Sequence, residues 1–256
     1  MTISKTKRQR QLEQTRFLRL IDIISSRYTI PFKREIQKTM NKIADSYNLN
    51  NYINESILLD HKKSLQRILI RLYSDSIEAV GEKQFNSIKK SRNIIYEKKD
   101  ALQDFQDLSI DYILKQGALL SVQLTDTTRK DVQNIIAKGI EVGLSTNEIT
   151  KFIKDKARIK STSRADLISR TEVHSSANWA SIESTQSISN ELNIEFKKVW
   201  NTTEDERTRS SHRKADGQKV DMDESFLVND EKLMYPGDSQ GSASNVINCR
   251  CFLTYE

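Results

Sequence analysis

Residues 125–157 read TDTTRKDVQNIIAKGIEVGLSTNEITKFIKDKA, and this stretch decides the fold. Val132, Ile135, Ile136, Gly139 and Ile140 recur at the spacing of one helix face. Gly143 stands where a helix would end on a residue at positive φ. Ser145 and Glu148 then make an S-x-x-E capping box, which predicts a second helix carrying Ile149, Phe152 and Ile153. The result is a short helical hairpin. Gly139, inside the first helix, costs about 1 kcal/mol against alanine, so it predicts close helix contact.

Toward the N-terminus the same periodicity continues. Leu12, Phe17, Leu18, Leu20, Ile21 and Ile24 predict one helix, and Pro31 suits the first turn of a next one running through Ile36, Met40 and Ile43. NLNNYINES interrupts the pattern with asparagines. Leu58, Leu65, Leu69, Leu72 and Ile77 mark a long amphipathic helix reaching toward Ser91. A further helix is expected over about 100–116, stopping near Gly117. His61 lies among charged neighbours and reads as a surface residue. No catalytic cluster is visible in residues 1–120.

Toward the C-terminus a third helix is expected to open at Ser163, with Asp166 completing another capping box. It carries Ala165, Ala177 and Ala180, small enough for close approach, and an unusual polar content in Arg170, Glu172, His174 and Asn178. Arg170 and Glu172 are expected to form an Arg–Glu network that locks this helix against its neighbours. From Asn193 the pattern changes. IEFKKVWNT alternates like a strand, EDERTRSSH suits a short helix, KADGQKV a turn into a strand, and CRCFLTY a closing strand. MYPGDSQGSAS reads as a loop.

The fold class is therefore mostly α: an elongated helical N-terminal region followed by a small α+β C-terminal module. The expected divisions are 1–120, 121–192 and 193–256. Two prolines and seven glycines in 256 residues are too few for a sheet sandwich. No apolar run approaches the roughly 20 residues needed to span a bilayer, so no membrane is required. The N-terminal stretch lacks a secretory h-region, which predicts a start in a cytoplasm. Residues 1–50 hold eleven Lys/Arg against four Asp/Glu, a balance of +7, whereas residues 201–256 hold seven against eleven, a balance of −4. The basic front suits DNA or an acidic protein surface, though on charge alone a solvated basic helix end is the simpler explanation.

The C-terminal module carries ordered signposts: Trp200, Asp205, Arg207, Arg209 and His212 in WNTTEDERTRSSH, then Asp216-Gly217-Gln218, Phe226, Pro236-Gly237-Asp238 and Asn248-Cys249-Arg250-Cys251. Together with the upstream RADLISRTEVHSSANWA, this series resembles the phage Mu F-like head morphogenesis family over about 125–256. The resemblance implies a minor capsid protein of a tailed phage, a non-enzymatic virion component assembled in the host cytoplasm. It implies association with the portal protein, the major capsid protein or a scaffold protein, and a part in DNA packaging or ejection. Weak contact of the basic N-terminus with packaged DNA is compatible with it.

The residues also have a chemical reading of their own. Cys249 and Cys251, placed on a strand, would share a face, and with His212 they offer three ligands for zinc. Asp205, Asp238 or water could be the fourth. The competing reading is a packing core with free thiols. Trp200 and Phe226 would supply most of the module's core, Gly217 and Gly237 its positive-φ turns, and Arg207 and Arg250 would bridge Asp205 and Asp216. Two other functions compete with the virion component. One is a DNA-binding protein, the other a metal-dependent hydrolase using His212, Asp205 and the cysteines.

Overall fold

A computed structural model describes residues 6–91, 100–203 and 205–256. Four long helices come first: α1 Lys7–Asn50, α2 Glu55–Ser91, α3 Asp100–Glu141 and α4 Thr146–Leu192. A small α+β region follows, with β1 Lys197–Asn201, α5 Ser210–Ala215, β2 Lys219–Asp221, β3 Phe226–Val228, β4 Glu231–Leu233, α6 Ala243–Val246 and β5 Phe252–Tyr255. The mostly α class with a small α+β C-terminal region is thus the observed architecture. No helix among the described residues is long and apolar enough to cross a membrane.

The chain divides into two compact units. One comprises Met1–Ile24, Tyr73–Asp111 and Arg170–Glu256, the other Ser25–Leu72 and Tyr112–Ser169. The second is a helical core in which Phe32, Ile36, Met40, Ile43, Leu65, Leu69 and Ile153 are at most 1% exposed. Its hairpin forms as the capping residues dictate. Gly143, at φ 75°, and Leu144 return hydrogen bonds to Ile140 and Gly139, the double bond pattern of a Schellman C-cap. Ser145 N–H donates to Glu148 Oε2 at 2.8 Å and Glu148 N–H to Ser145 Oγ at 3.4 Å, closing the capping box. A Cβ on Gly139 would stand 2.6 Å from Ile149 Cγ1, so glycine permits the close approach there. Ile140, expected on the same face, is 62% exposed.

Several expected breaks are absent. Pro31 sits inside α1, although it has no N–H to donate to the carbonyl four residues back. The burial of Phe32, Ile36 and Met40 along one continuous face outweighs that loss. Gly117 does not end α3. It lies on the face toward α2, where an added Cβ would meet Ile70 Cγ1 at 3.4 Å. No helix opens at Ser163, whose hydroxyl instead donates to the Lys160 carbonyl within α4. Ala157, Ser161, Ala165 and Ser169 make an i+4 stripe, each fully buried, that carries the helix through this point.

His61 is also not on the surface. It is 1% exposed and ties three helices of this unit together. Its Nδ1 lies 3.0 Å from both Glu35 Oε1 and Thr39 Oγ1, and its Nε2 lies 3.3 Å from Thr128 Oγ1. The Thr128 hydroxyl donates to the Leu124 carbonyl, so it accepts from His61 and from Arg164. That accounting places a proton on Nε2.

In the other unit, β1 is the centre of a three-stranded antiparallel sheet ordered β2-β1-β5, with Trp200 opposite Leu253 and Lys197 opposite Asp221. The hairpin β3–β4 turns on Asn229 and Asp230 at φ 52° and 63°, the two positive-φ positions of a type I′ turn. The strand in IEFKKVWNT starts later than the alternation suggests. Lys198, a charge expected to mark the solvent face, is fully buried. Its ammonium donates to the Met234 carbonyl at 3.0 Å and lies 5.3 Å from the Phe226 ring centre. Burial pushes its pKa down to about 8.

Candidate functional site

The site is built where α4, from Arg170 onward, meets the C-terminal segment. The unusual polar content of RTEVHSSAN is spent on that contact. His174 Nε2–H donates to the Cys251 carbonyl at 2.7 Å, and Asn178 Nδ2 donates to the same oxygen at 3.3 Å. Ser175 Oγ donates to the Gly237 carbonyl at 2.6 Å. Thr171 Oγ1 accepts from Asn248 N–H at 3.3 Å, and Ser181 Oγ lies 3.0 Å from the Tyr255 hydroxyl. Backbone groups of a short-stranded, loop-rich segment need partners, and this helix face supplies them.

Arg170 and Glu172 do not pair with each other. Arg170 meets Asp22 at 3.6 Å, while Glu172 Oε2 accepts from the Tyr73 hydroxyl at 2.7 Å. Residues two apart on a helix do not face one another, so each finds its own partner. Burial raises the Glu172 carboxyl to about 7, against the Tyr73 hydrogen bond, which lowers it.

The glycines and turn residues hold the segment in place. Gly237 adopts φ 85°, and a Cβ there would come within 3.0 Å of His174 Nδ1 and 3.2 Å of Ser175 Cα. Pro236 is buried beside it, and Asp238 closes the loop by accepting from Met234 N–H and Gln240 N–H. Gly217, at φ 76°, returns its N–H to the Trp200 carbonyl at 2.8 Å. Asn248, at φ 56°, reverses the chain just before the cysteines.

Of the expected bridges, those to Asp205 form and those to Asp216 do not. Arg250 grips Asp205 with both guanidinium nitrogens, and this holds the Asp205 carboxyl down at about 2. Arg207 reaches Asp205 only at 3.9 Å and is 79% exposed. Asp216 is held by Thr202 instead, through its N–H at 2.7 Å and its hydroxyl at 2.9 Å. The short helix expected in EDERTRSSH begins only at Ser210, because Asp205 first makes a turn by accepting from Arg207 N–H. Arg209 donates to the Ile247 carbonyl.

The structure brings His212, Cys249 and Cys251 together, although the cysteines precede β5 rather than lying on it. Their three donor atoms lie within 4.8 Å of one another. His212 Nδ1 is 3.3 Å from Cys251 Sγ and 3.7 Å from Cys249 Sγ. All three residues are buried, and Trp200 meets the His212 ring edge to face at a centroid distance of 5.7 Å. Trp200 and Phe226, both fully buried, form the core beneath. Neither Asp205 nor Asp238 joins the three donors.

The two thiols are pushed in opposite directions. Burial opposes ionisation of Cys249, but the Cys251 thiol and the imidazoles of His174 and His212 overcome it and hold Cys249 well below the usual thiol range. Cys251 is pushed up by its bond to Cys249 and by burial. The surface hollows lined by Lys138–Asp155 residues and by Gln11–Asp22 residues include none of these groups.

Comparison with known proteins finds similarity of sequence. Residues 130–254 match the family described as phage Mu protein F like protein. The NAD(+)--arginine ADP-ribosyltransferase EFV of Enterococcus faecalis (strain ATCC 700802 / V583) is 30% identical over 208 residues, covering 71% of this chain and 42% of that protein. Minor head protein GP7 of Bacillus phage SPP1 is 30% identical over 125 residues, covering 47% of this chain and 38% of that protein. The chain thus spans less than half the length of either relative. No solved structure matches it.

Proposed function

We propose, from the premise that this chain belongs to the phage Mu protein F-like family through residues 130–254, that it acts as a minor head protein, a structural component of a tailed-phage head. One observation carries this reading. The residues that make the family signature are consumed in holding the module together: Asp205 by Arg250, Gly237 against α4, Asn248 by Thr171, and Trp200 in the core. A signature spent on internal bonding, away from any open cleft, suits a part that assembles rather than one that turns over substrate. The helices of residues 1–120 then serve as the contact with portal, shell or scaffold protein. Exposed Arg8, Arg10, Arg16 and Arg19 on α1 suit weak contact with DNA phosphates.

The transferase-named relative does not redirect this reading. Its match covers more of this chain than lies outside residues 130–254, so it overlaps the F-like region. What the transferase-named relative shares with this chain is in part the F-like region, and a shared module is weak support for shared chemistry.

Co-expression with the portal, scaffold and major shell proteins of the same phage tests the proposal. The chain is expected to sediment with assembled shells or with isolated portal rings. Sedimentation as a free species in every combination, together with incorporation of ADP-ribose from NAD into an arginine substrate, would replace it with the enzyme reading.

A further inference from the structure

We propose that His212 Nδ1, Cys249 Sγ and Cys251 Sγ bind one zinc ion as a structural staple of the C-terminal module. The proposal rests first on geometry. Zinc with Zn–N and Zn–S bonds of about 2.05 and 2.3 Å in tetrahedral arrangement sets an N···S edge of about 3.6 Å. The two observed N···S distances, 3.3 and 3.7 Å, bracket that edge. The donors are already gathered, so binding asks for little rearrangement.

Donor chemistry points the same way. Two sulfurs and an imidazole select zinc over magnesium or calcium, which take oxygen. Two thiolates, one neutral imidazole and Zn²⁺ sum to zero charge, which is what a site with no residue more than 4% exposed requires. Without metal, the His212 imidazole is poorly served. Its Nε2 has no hydrogen-bond partner among the described residues, and its Nδ1 faces only sulfur, a weak acceptor. A metal on Nδ1 replaces that weak contact with a bond.

The position explains what the ion would do. The three ligands come from α5, from the turn after α6 and from the lead into β5, pieces joined by loops with few strand hydrogen bonds between them. A metal bond ties such loop-joined pieces to one another, which short strands cannot do alone. The Cys251 carbonyl is already fixed by His174 and Asn178 on α4, so the ligand backbone is held from behind. Water takes the fourth position, because Asp205 and Asp238 are committed to Arg250 and to the 234–240 loop. Burial on all sides keeps substrates out, which makes the role structural despite the three protein ligands.

The test is a titration of Co²⁺ alone into the reduced full-length chain, followed by displacement with Zn²⁺. The expected result is saturation at one equivalent with thiolate-to-cobalt charge-transfer absorption, reduced by about half in Cys251→Ser and unchanged in Asp205→Asn. Absence of that absorption in the wild-type chain overturns the proposal, as does a band indifferent to loss of either cysteine. Should the cysteine variants fail to fold, thiol reactivity of the wild-type chain decides. Zinc is expected to slow modification of both cysteines at least tenfold, with chelator reversing the effect. Equal rates with and without zinc overturn it.

Discussion

At the level of single side chains, the informative residues are polar ones held by partners inside the fold. Glu172 is the clearest. Its folded value of about 7 lies above the unfolded carboxyl value, so the folded chain binds the extra proton between about pH 4.5 and 7. Stability from this group is therefore present below pH 4.5 and is lost as pH rises through 7. Glu172→Gln is expected to flatten that loss, worth up to about 3 kcal/mol, in denaturant unfolding followed across the pH range. Asp205 has the opposite sign. Its depressed carboxyl contributes above the ordinary Asp value and loses that contribution as pH falls toward 2. At 41% exposure the Arg250 pair is screened, so Asp205→Asn should cost about 1 kcal/mol at neutral pH. His61→Ala should cost more, roughly 2–4 kcal/mol in the same measurement, because it opens a cavity and takes one buried partner each from Glu35, Thr39 and Thr128. His61 was illegible in the sequence for a physical reason. Its partners are 22, 26 and 67 residues away, and its chain neighbours are charged, so local pattern pointed outward. The meeting of His212 with the two cysteines was legible because few other residues could serve as soft ligands.

Among the helices and strands, caps were easier to read than continuations. The Gly143–Ser145–Glu148 junction formed as its local chemistry required, since every bond in it lies within six residues. Gly139→Ala tests the close contact beside it. Helix propensity would gain about 1 kcal/mol, but the new methyl would stand 2.6 Å from the Ile149 side chain. A net loss of about 1–2 kcal/mol is expected in thermal or denaturant unfolding, and Gly139→Ala with Ile149→Val should recover part of it. Pro31, Gly117 and Ser163 were misread as boundaries because their effect on a helix is decided by burial along its length. The neighbouring apolar and small residues of α1, α3 and α4 keep one face packed through each of these positions. The β3–β4 hairpin was missed although VNDE carried a signal, an Asn-Asp pair suited to two positive-φ positions. Its strands are three residues each, too short for alternation to show.

Across the whole molecule, the C-terminal module and the polar face of α4 act as one structural device. Several of the motif residues read in the sequence lie on this contact, His174, Asn178, Gly237 and Asn248 among them, and they fall within the residues 130–254 that match the family. The helical front carries no such signature, and its character was visible only as periodicity and charge. Removal of charge there offers a separate test. Replacing Arg8, Arg10, Arg16 and Arg19 with alanine should weaken DNA binding and make its salt dependence shallower, by up to about 0.9 in the log–log slope for each phosphate no longer neutralised. The central claim, that this chain is a part of a phage head, is most directly tested by quantitative mass spectrometry of purified particles and of their DNA-free precursors. The account predicts the chain in the shells at a few copies each, far below the major shell protein. Its absence from both, with the chain abundant in the soluble fraction of the same lysate, would contradict it.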